Sequence, residues 1–172
     1  MEGFDPLIKK AGHFARRAHW GQRRKYRATP YSHHTFRVAR RVARHEIGSP
    51  VTVAAALLHD TVEDTKVDLG AILGEFGPDV SRLVDELTKL EQDMNLSRTT
   101  RFEREIDRLK GISREAKVIK LIDRIDNVRE SQKMADDFTK RYLKESAKLA
   151  EAIGDADPEL KQELLEVIAA SM

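Results

Sequence analysis

The sequence predicts an all-α fold, a helical bundle packed around one buried central helix. Three observations carry this expectation. A capping side chain is followed by proline at Asp5-Pro6, Ser49-Pro50 and Asp157-Pro158. Each pair marks a helix start, because the side chain accepts an orphan N–H and proline at the first helical position needs none. The run Val51, Val53, Ala54, Ala55, Ala56, Leu57 and Leu58 is apolar on nearly every side, which suits a helix with no solvent face. No segment carries a convincing strand alternation.

The elements follow in order. A first helix runs from Pro6 to about Trp20. Gly21 to Pro30 has no apolar period and reads as a loop. A second helix begins at Tyr31 or Ser32 and continues to about Glu46, and the central helix begins at Pro50. Asp68 caps a short helix carrying Leu69, Ile72, Leu73 and Phe76. Gly77 ends it, and Pro78 opens the next, with Val80, Leu83, Val84 and Leu87 on one face. Leu90 to Thr100 is polar and reads as a mobile connection into a helix over Phe102 to Leu109. Val118, Leu121, Ile122, Ile125 and Val128 place a helix from Ser113 to about Met134. Helices over Asp137 to Ile153 and Pro158 to Ala170 complete a single domain over residues 1–172.

Composition narrows the chemistry. The chain has no cysteine, which excludes disulfides, thiolate catalysis and cysteine-bound zinc. No apolar run is long enough to cross a bilayer and the first residues lack a signal peptide's apolar stretch, so a cytoplasmic protein without a membrane partner is expected. The net charge is only +2, yet Arg16, Arg17, Arg23, Arg24, Lys25 and Arg27 crowd the first part, and Arg37, Arg40, Arg41 and Arg44 follow. Basic charge gathered on a near-neutral chain suits a small anionic ligand better than a long nucleic acid. Aromatic residues at 6% also leave no stacking platform for RNA.

The candidate site lies at the end of the central helix. His59-Asp60 follows the apolar run directly. Burying an unpaired carboxylate there is unfavourable, and a divalent cation would satisfy both side chains. Adjacent helical residues point about 100° apart, so joint ligation requires the helix to end or distort there. Further ligands are available. His33 shares a stripe with Arg37, Arg40 and Arg44, whereas His34 shares one with Val38 and Val42, so His34 faces the core and is the better ligand. A lone core histidine is more often simply hydrogen-bonded. Asp123 interrupts an apolar helix and shares a face with Asn127, and periodicity leaves it equally a surface carboxylate pairing with Arg124 or Lys120. Two imidazoles and two carboxylates suit manganese or ferrous iron with positions open for water. Glu63 and Asp64 come next, able to take a proton from a water whose acidity a cation raises, or merely to begin a loop.

These blocks resemble the HD superfamily, and more closely the hydrolase domain of RelA/SpoT-type enzymes and the stand-alone small alarmone hydrolases. TPYSHH (29–34) is similar to the family's TPY-x-x-H segment, HDTVED (59–64) matches its central block, and KLIDRIDN (120–127) resembles K-L-A-D-[KR]-L-x-N. The loop QRRKYRATPY (22–31) resembles the family's arginine-rich segment, and FGPDVSRLVDELTKL (76–90) is also similar. Four separated blocks in the right order are far more specific than a lone HD pair.

The resemblance implies an HD-domain hydrolase that removes the 3′-pyrophosphate of (p)ppGpp, as in alarmone degradation during the stringent response. It assigns manganese to His34, His59, Asp60 and Asp123, and water handling to Glu63 and Asp64. It places Arg24 on the purine face, Lys25 on phosphate, and Asn127 near the ribose or 3′ group. The partner is then a purine nucleotide alarmone, and a homo-oligomer is compatible with the sequence. Departures bear on the substrate more than on the reaction. Asp126 stands where the family has an aromatic residue or histidine, His33 replaces an amide, Thr35 stands where proline is common, and the loop before Thr29 is about one residue short. The alternatives are an HD phosphohydrolase acting on (p)ppApp or a nucleoside phosphate, and a nucleotide-binding module with a degenerate site.

Overall fold

A computed structural model describes residues 5–25, 28–89, 95–131 and 137–171. Their contacts separate the chain into two compact units, Met1–Thr88 and Lys89–Met172.

The first unit holds α1 (Pro6–Ala18), α2 (Ser32–Val42), α3 (Pro50–Leu58), α4 (Thr61–Asp64), α5 (Leu69–Phe76) and α6 (Pro78–Leu87). α3 is its centre and packs against α1, α2 and α6. Every residue from Thr52 to Leu58 is buried, as an all-apolar helix requires. Burying each Val or Leu side chain contributes about 1.5–3 kcal/mol. The start of α3 is a capping box, in which the Ser49 side chain accepts from the Thr52 N–H and the Thr52 side chain accepts from the Ser49 N–H. The Asp5 and Asp68 side chains cap α1 and α5 by accepting from the Leu7 and Ala71 N–H groups.

α2 ends at Val42, short of the expected Glu46. Tight turns replace the helix there: Arg44 N–H donates to Arg41 O, and His45 N–H to Val42 O. The turn brings Ile47 O to the Thr52 hydroxyl at 2.7 Å, so the α3 cap and the α2 end are one construction. Gly77 joins α5 to α6 at φ +82° and ψ 175°, a conformation open essentially to glycine alone.

The second unit holds α7 (Arg98–Lys110), α8 (Arg114–Ser131), α9 (Asp137–Ile153), a 3-10 turn (Gly154–Ala156) and α10 (Pro158–Ala169). α8 is its centre and packs on α9, α10 and the 3-10 turn, while α7 packs on α9. α7 begins at Arg98, before the expected Phe102, because the Ser97 hydroxyl accepts from the Thr100 N–H and starts the helix early. Of the connection expected over Leu90 to Thr100, residues 90–94 lie outside the described residues, as do Met134, the expected end of α8, and Arg27. Among the described residues there is no strand beyond an isolated bridge between Arg23 and Pro30. No helix among them is long and apolar enough to cross a membrane.

Candidate metal centre

The break demanded by a joint His59-Asp60 site is present. α3 stops at Leu58, α4 starts at Thr61, and His59 and Asp60 form the junction. Glu63 and Asp64, which the sequence alone also allowed to begin a loop, lie in this short helix. Asp60 occupies the N-cap position of α4, but its side chain does not cap. Its Oδ2 is turned instead toward two imidazoles, 3.0 Å from His59 Nε2 and 3.6 Å from His34 Nε2. One ligand atom from each of His34, His59 and Asp60 lies within 4.8 Å of the others.

The donor set fits a divalent cation. His59 Nδ1 lies 2.8 Å from the Ala56 carbonyl, which can only accept, so Nδ1 carries the proton and Nε2 presents a lone pair. His34 and His59 are buried at 0% and 1% exposure, away from competing water. His33, in contrast, is exposed. The Thr61 hydroxyl is buried beside the junction without a hydrogen-bond partner.

Tyr31 fixes the carboxylate. Its hydroxyl donates to Asp60 Oδ2 at 2.7 Å. Burial pushes the phenol far above its ordinary pKa, and the charges of Asp60 and Asp64 push it further, so it acts as a permanent donor. Asp64 is exposed as a residue, yet its carboxyl is held above the usual range, first by partial burial and then by the charge of Asp60. The Tyr31 hydrogen bond and His19 oppose that rise. Glu63 is exposed on the same turn.

Around these groups the arginine-rich loop folds back on itself. Arg24 N–H donates to Thr29 O, and Tyr31 N–H donates to Gln22 O. The Arg24 guanidinium lies over the Tyr31 ring, 5.1 Å from its centroid. Lys25 is exposed at the loop tip. Gln22 Nε2 donates to Asp64 O at 2.7 Å, and His19 stacks on Tyr31 at 4.7 Å between centroids. Sequence reasoning did not assign Tyr31, His19 or Gln22. Tyr31 had a signal, its place in the TPY segment, whereas His19 and Gln22 had none.

In the second unit, Asp123 is buried on α8 rather than on a surface. Asn127 Nδ2 donates to its Oδ1 at 2.6 Å, and Lys120 Nζ lies 3.6 Å from its Oδ2. The helical-face pairing with Asn127 and the ion pair with Lys120 are therefore both present. Asp126 is half-buried beside Asn127.

Comparison with known proteins places this arrangement. Residues 11–154 match the family model described as "HD domain". The human guanosine-3′,5′-bis(diphosphate) 3′-pyrophosphohydrolase MESH1 is 40% identical over 126 residues, covering 72% of this chain and 68% of that protein. The mouse protein of that name is 33% identical over 165 residues, covering 91% of this chain and 90% of its own. A solved structure described as a metazoan ortholog of SpoT that hydrolyses ppGpp superposes with a TM-score of 0.87 at 29% identity, covering 98% of this chain and 97% of that one. With an HD-family match over most of its length and relatives of the MESH1 type along it, the chain belongs to the HD-domain family.

Proposed function

We propose that this chain is a (p)ppGpp 3′-pyrophosphohydrolase of the cytoplasm, converting the alarmone to GDP or GTP and pyrophosphate. The observation that carries the reading is the convergence of His34, His59 and Asp60 at the α3–α4 junction, in a chain 40% identical to a relative named for that activity. Asp123 is the fourth ligand in this reading. Support for it comes from its place in the KLIDRIDN segment and from its burial. The family match runs from residue 11 to 154, which supports treating residues 1–172 as one catalytic domain.

The cation, manganese in this reading, supplies Lewis-acid activation of the attacking water. Tyr31 holds Asp60 in position by its hydrogen bond. Glu63 or Asp64 accepts the water's proton, and the water oxygen bonds to the phosphorus nearest the ribose. The bond from that phosphorus to O3′ breaks, pyrophosphate leaves, and the ribose oxygen takes a proton. Arg24 stacks on the purine, Lys25 meets phosphate charge, and Asn127 hydrogen-bonds near the 3′ group. The basic side chains offset charge growing on the phosphoryl oxygens.

The test is to incubate manganese-loaded protein with ppGpp, pppGpp and pppApp and to resolve the products. Release of pyrophosphate and GDP from ppGpp supports the reading. Turnover of pppApp alone would move the substrate to adenosine alarmones, and ppGpp binding without turnover would make the chain a binding module.

A further inference from the structure

The first unit has a cleft beyond the metal centre. It lies between α1, the loop that follows, and α2, and its volume is about 810 Å³. Arg16, Arg23, Arg37 and Arg40 line it, and no carboxylate does among the described residues. Arg16 lies over the Phe36 ring at 4.9 Å, and Arg23 Nη1 donates to Ala28 O. Both contacts orient a guanidinium without neutralising it.

At the cleft stands Trp20, 88% exposed. An indole left this open is unusual, because its large apolar face gains by being covered. A third group has the opposite character. His19 lines the same cleft at 3% exposure. Its Nδ1 lies 2.7 Å from Gln22 Oε1. The Gln22 amide is oriented by donating its Nε2 to Asp64 O, so its oxygen faces His19 and accepts. His19 Nδ1 therefore carries the proton, and Nε2 is a buried acceptor without a hydrogen-bond partner.

An open aromatic face, guanidinium groups and a buried acceptor together describe a ligand with a flat ring, phosphate charge and a donor group. The volume falls in the range of ordinary small-molecule sites, roughly 300–1,000 Å³. A single indole offers one base a platform, whereas single-stranded nucleic acid needs a succession of them. We propose that this cleft is a second nucleotide site, separate from the metal centre. It takes a purine nucleoside di- or triphosphate, with the base on Trp20 and the phosphates among Arg16, Arg37 and Arg40. The proposal stands whether or not the metal centre hydrolyses ppGpp.

Trp20 is the sole tryptophan of the chain, so its emission reports occupancy directly. The experiment titrates GTP into the full-length protein in EDTA, following tryptophan emission and counting bound nucleotide by equilibrium dialysis. The same is done with the Arg37→Glu/Arg40→Glu protein. The expected result is saturable quenching in the wild type and loss of both the quench and one bound nucleotide in the variant, with ppGpp turnover retained. Trp20→Leu, read by dialysis, should weaken that nucleotide roughly tenfold or more. Equal binding and quenching in the double variant would overturn the proposal. Pyrophosphate competing as well as GTP would reduce the cleft to a phosphate site, and displacement of GTP only by oligonucleotides would make it an RNA surface; either result rejects the nucleotide assignment. Absent ppGpp turnover in both proteins would count against the proposed hydrolase and leave the dialysis count to decide the cleft.

Discussion

At the α3–α4 junction of the first unit, three groups able to ligate a cation face one another: one nitrogen from each of two buried imidazoles and an oxygen of the half-buried Asp60 carboxylate lie within 4.8 Å. On α8 of the second unit, buried charged side chains lie against partners of their own unit. Asp123 has Lys120 and Asn127, and the Arg124 guanidinium donates to the Ser146 hydroxyl at 3.2 Å and lies over the Tyr142 ring at 4.7 Å. Both helices are the centres of their units, yet the group of three metal-competent side chains found among the described residues lies at the end of the first. The difference separates a cluster of possible ligands from an acid–base pair packed in a core. It also predicts that the two regions respond differently to substitution.

The largest expected effect is at the junction. His59→Ala removes the ring whose tautomer the Ala56 carbonyl fixes. Metal content by mass spectrometry should fall to background, and ppGpp turnover with it. Retention of a full equivalent of manganese would break the comparison, because the junction would then not be the receiving site. Glu63→Ala comes next. This residue is exposed and holds no ligand position, so fold and metal content should stay while turnover falls by about 10²–10⁴, the usual worth of a general base. Unchanged turnover removes Glu63 from the mechanism and leaves Asp64.

In the second unit the expected effect is on stability. Asp123→Ala leaves the buried Lys120 ammonium without its carboxylate. Breaking a buried pair in this way costs about 3–5 kcal/mol, measured by urea unfolding of metal-free protein. The equivalent loss at Asp60 should be much smaller in metal-free protein, since Asp60 is partly exposed and faces imidazoles. Equal losses at the two positions would erase the contrast. If Asp123 is also the fourth ligand, its variant loses metal as well, a second readout that the ion pair alone does not explain.

Much of this was legible in the sequence, for physical reasons that differ by residue. The starts of α1, α3, α5 and α10 were readable because caps act locally, between residues two or three apart. His34 was separable from His33 because helical period alone decides which one faces the core. The end of α2 was not readable, since it is set by Ile47 O reaching the Thr52 hydroxyl across a turn. Nor were His19 and Gln22, whose roles depend on a loop folding back so that Gln22 reaches Asp64, far along the chain. The ambiguity at Asp123 was real: its face points to Asn127 and its charge to Lys120, and the structure contains both.

The smallest expected effect tests where each unit stores strain. The residues with positive φ among those described are Gly21, Ala28 and Gly77, all in the first unit. Two are glycines, for which this conformation is easy. Ala28, at φ +50°, is not, and a left-handed alanine costs roughly 1–2 kcal/mol. What holds it is visible: its N–H donates to Arg24 O, and its carbonyl accepts from Arg23 Nη1 at 2.6 Å. The strained residue therefore clamps both ends of the segment presenting Arg24. Ala28→Gly should relieve the strain and, after glycine's greater loss of freedom on folding, stabilise the protein by about 0.5–1 kcal/mol in urea unfolding. If the clamp also presets Arg24 for the purine, KM for ppGpp should rise while kcat holds. A destabilised Ala28→Gly protein would show that the alanine is not strained, and the first unit would then differ from the second in its polar groups alone.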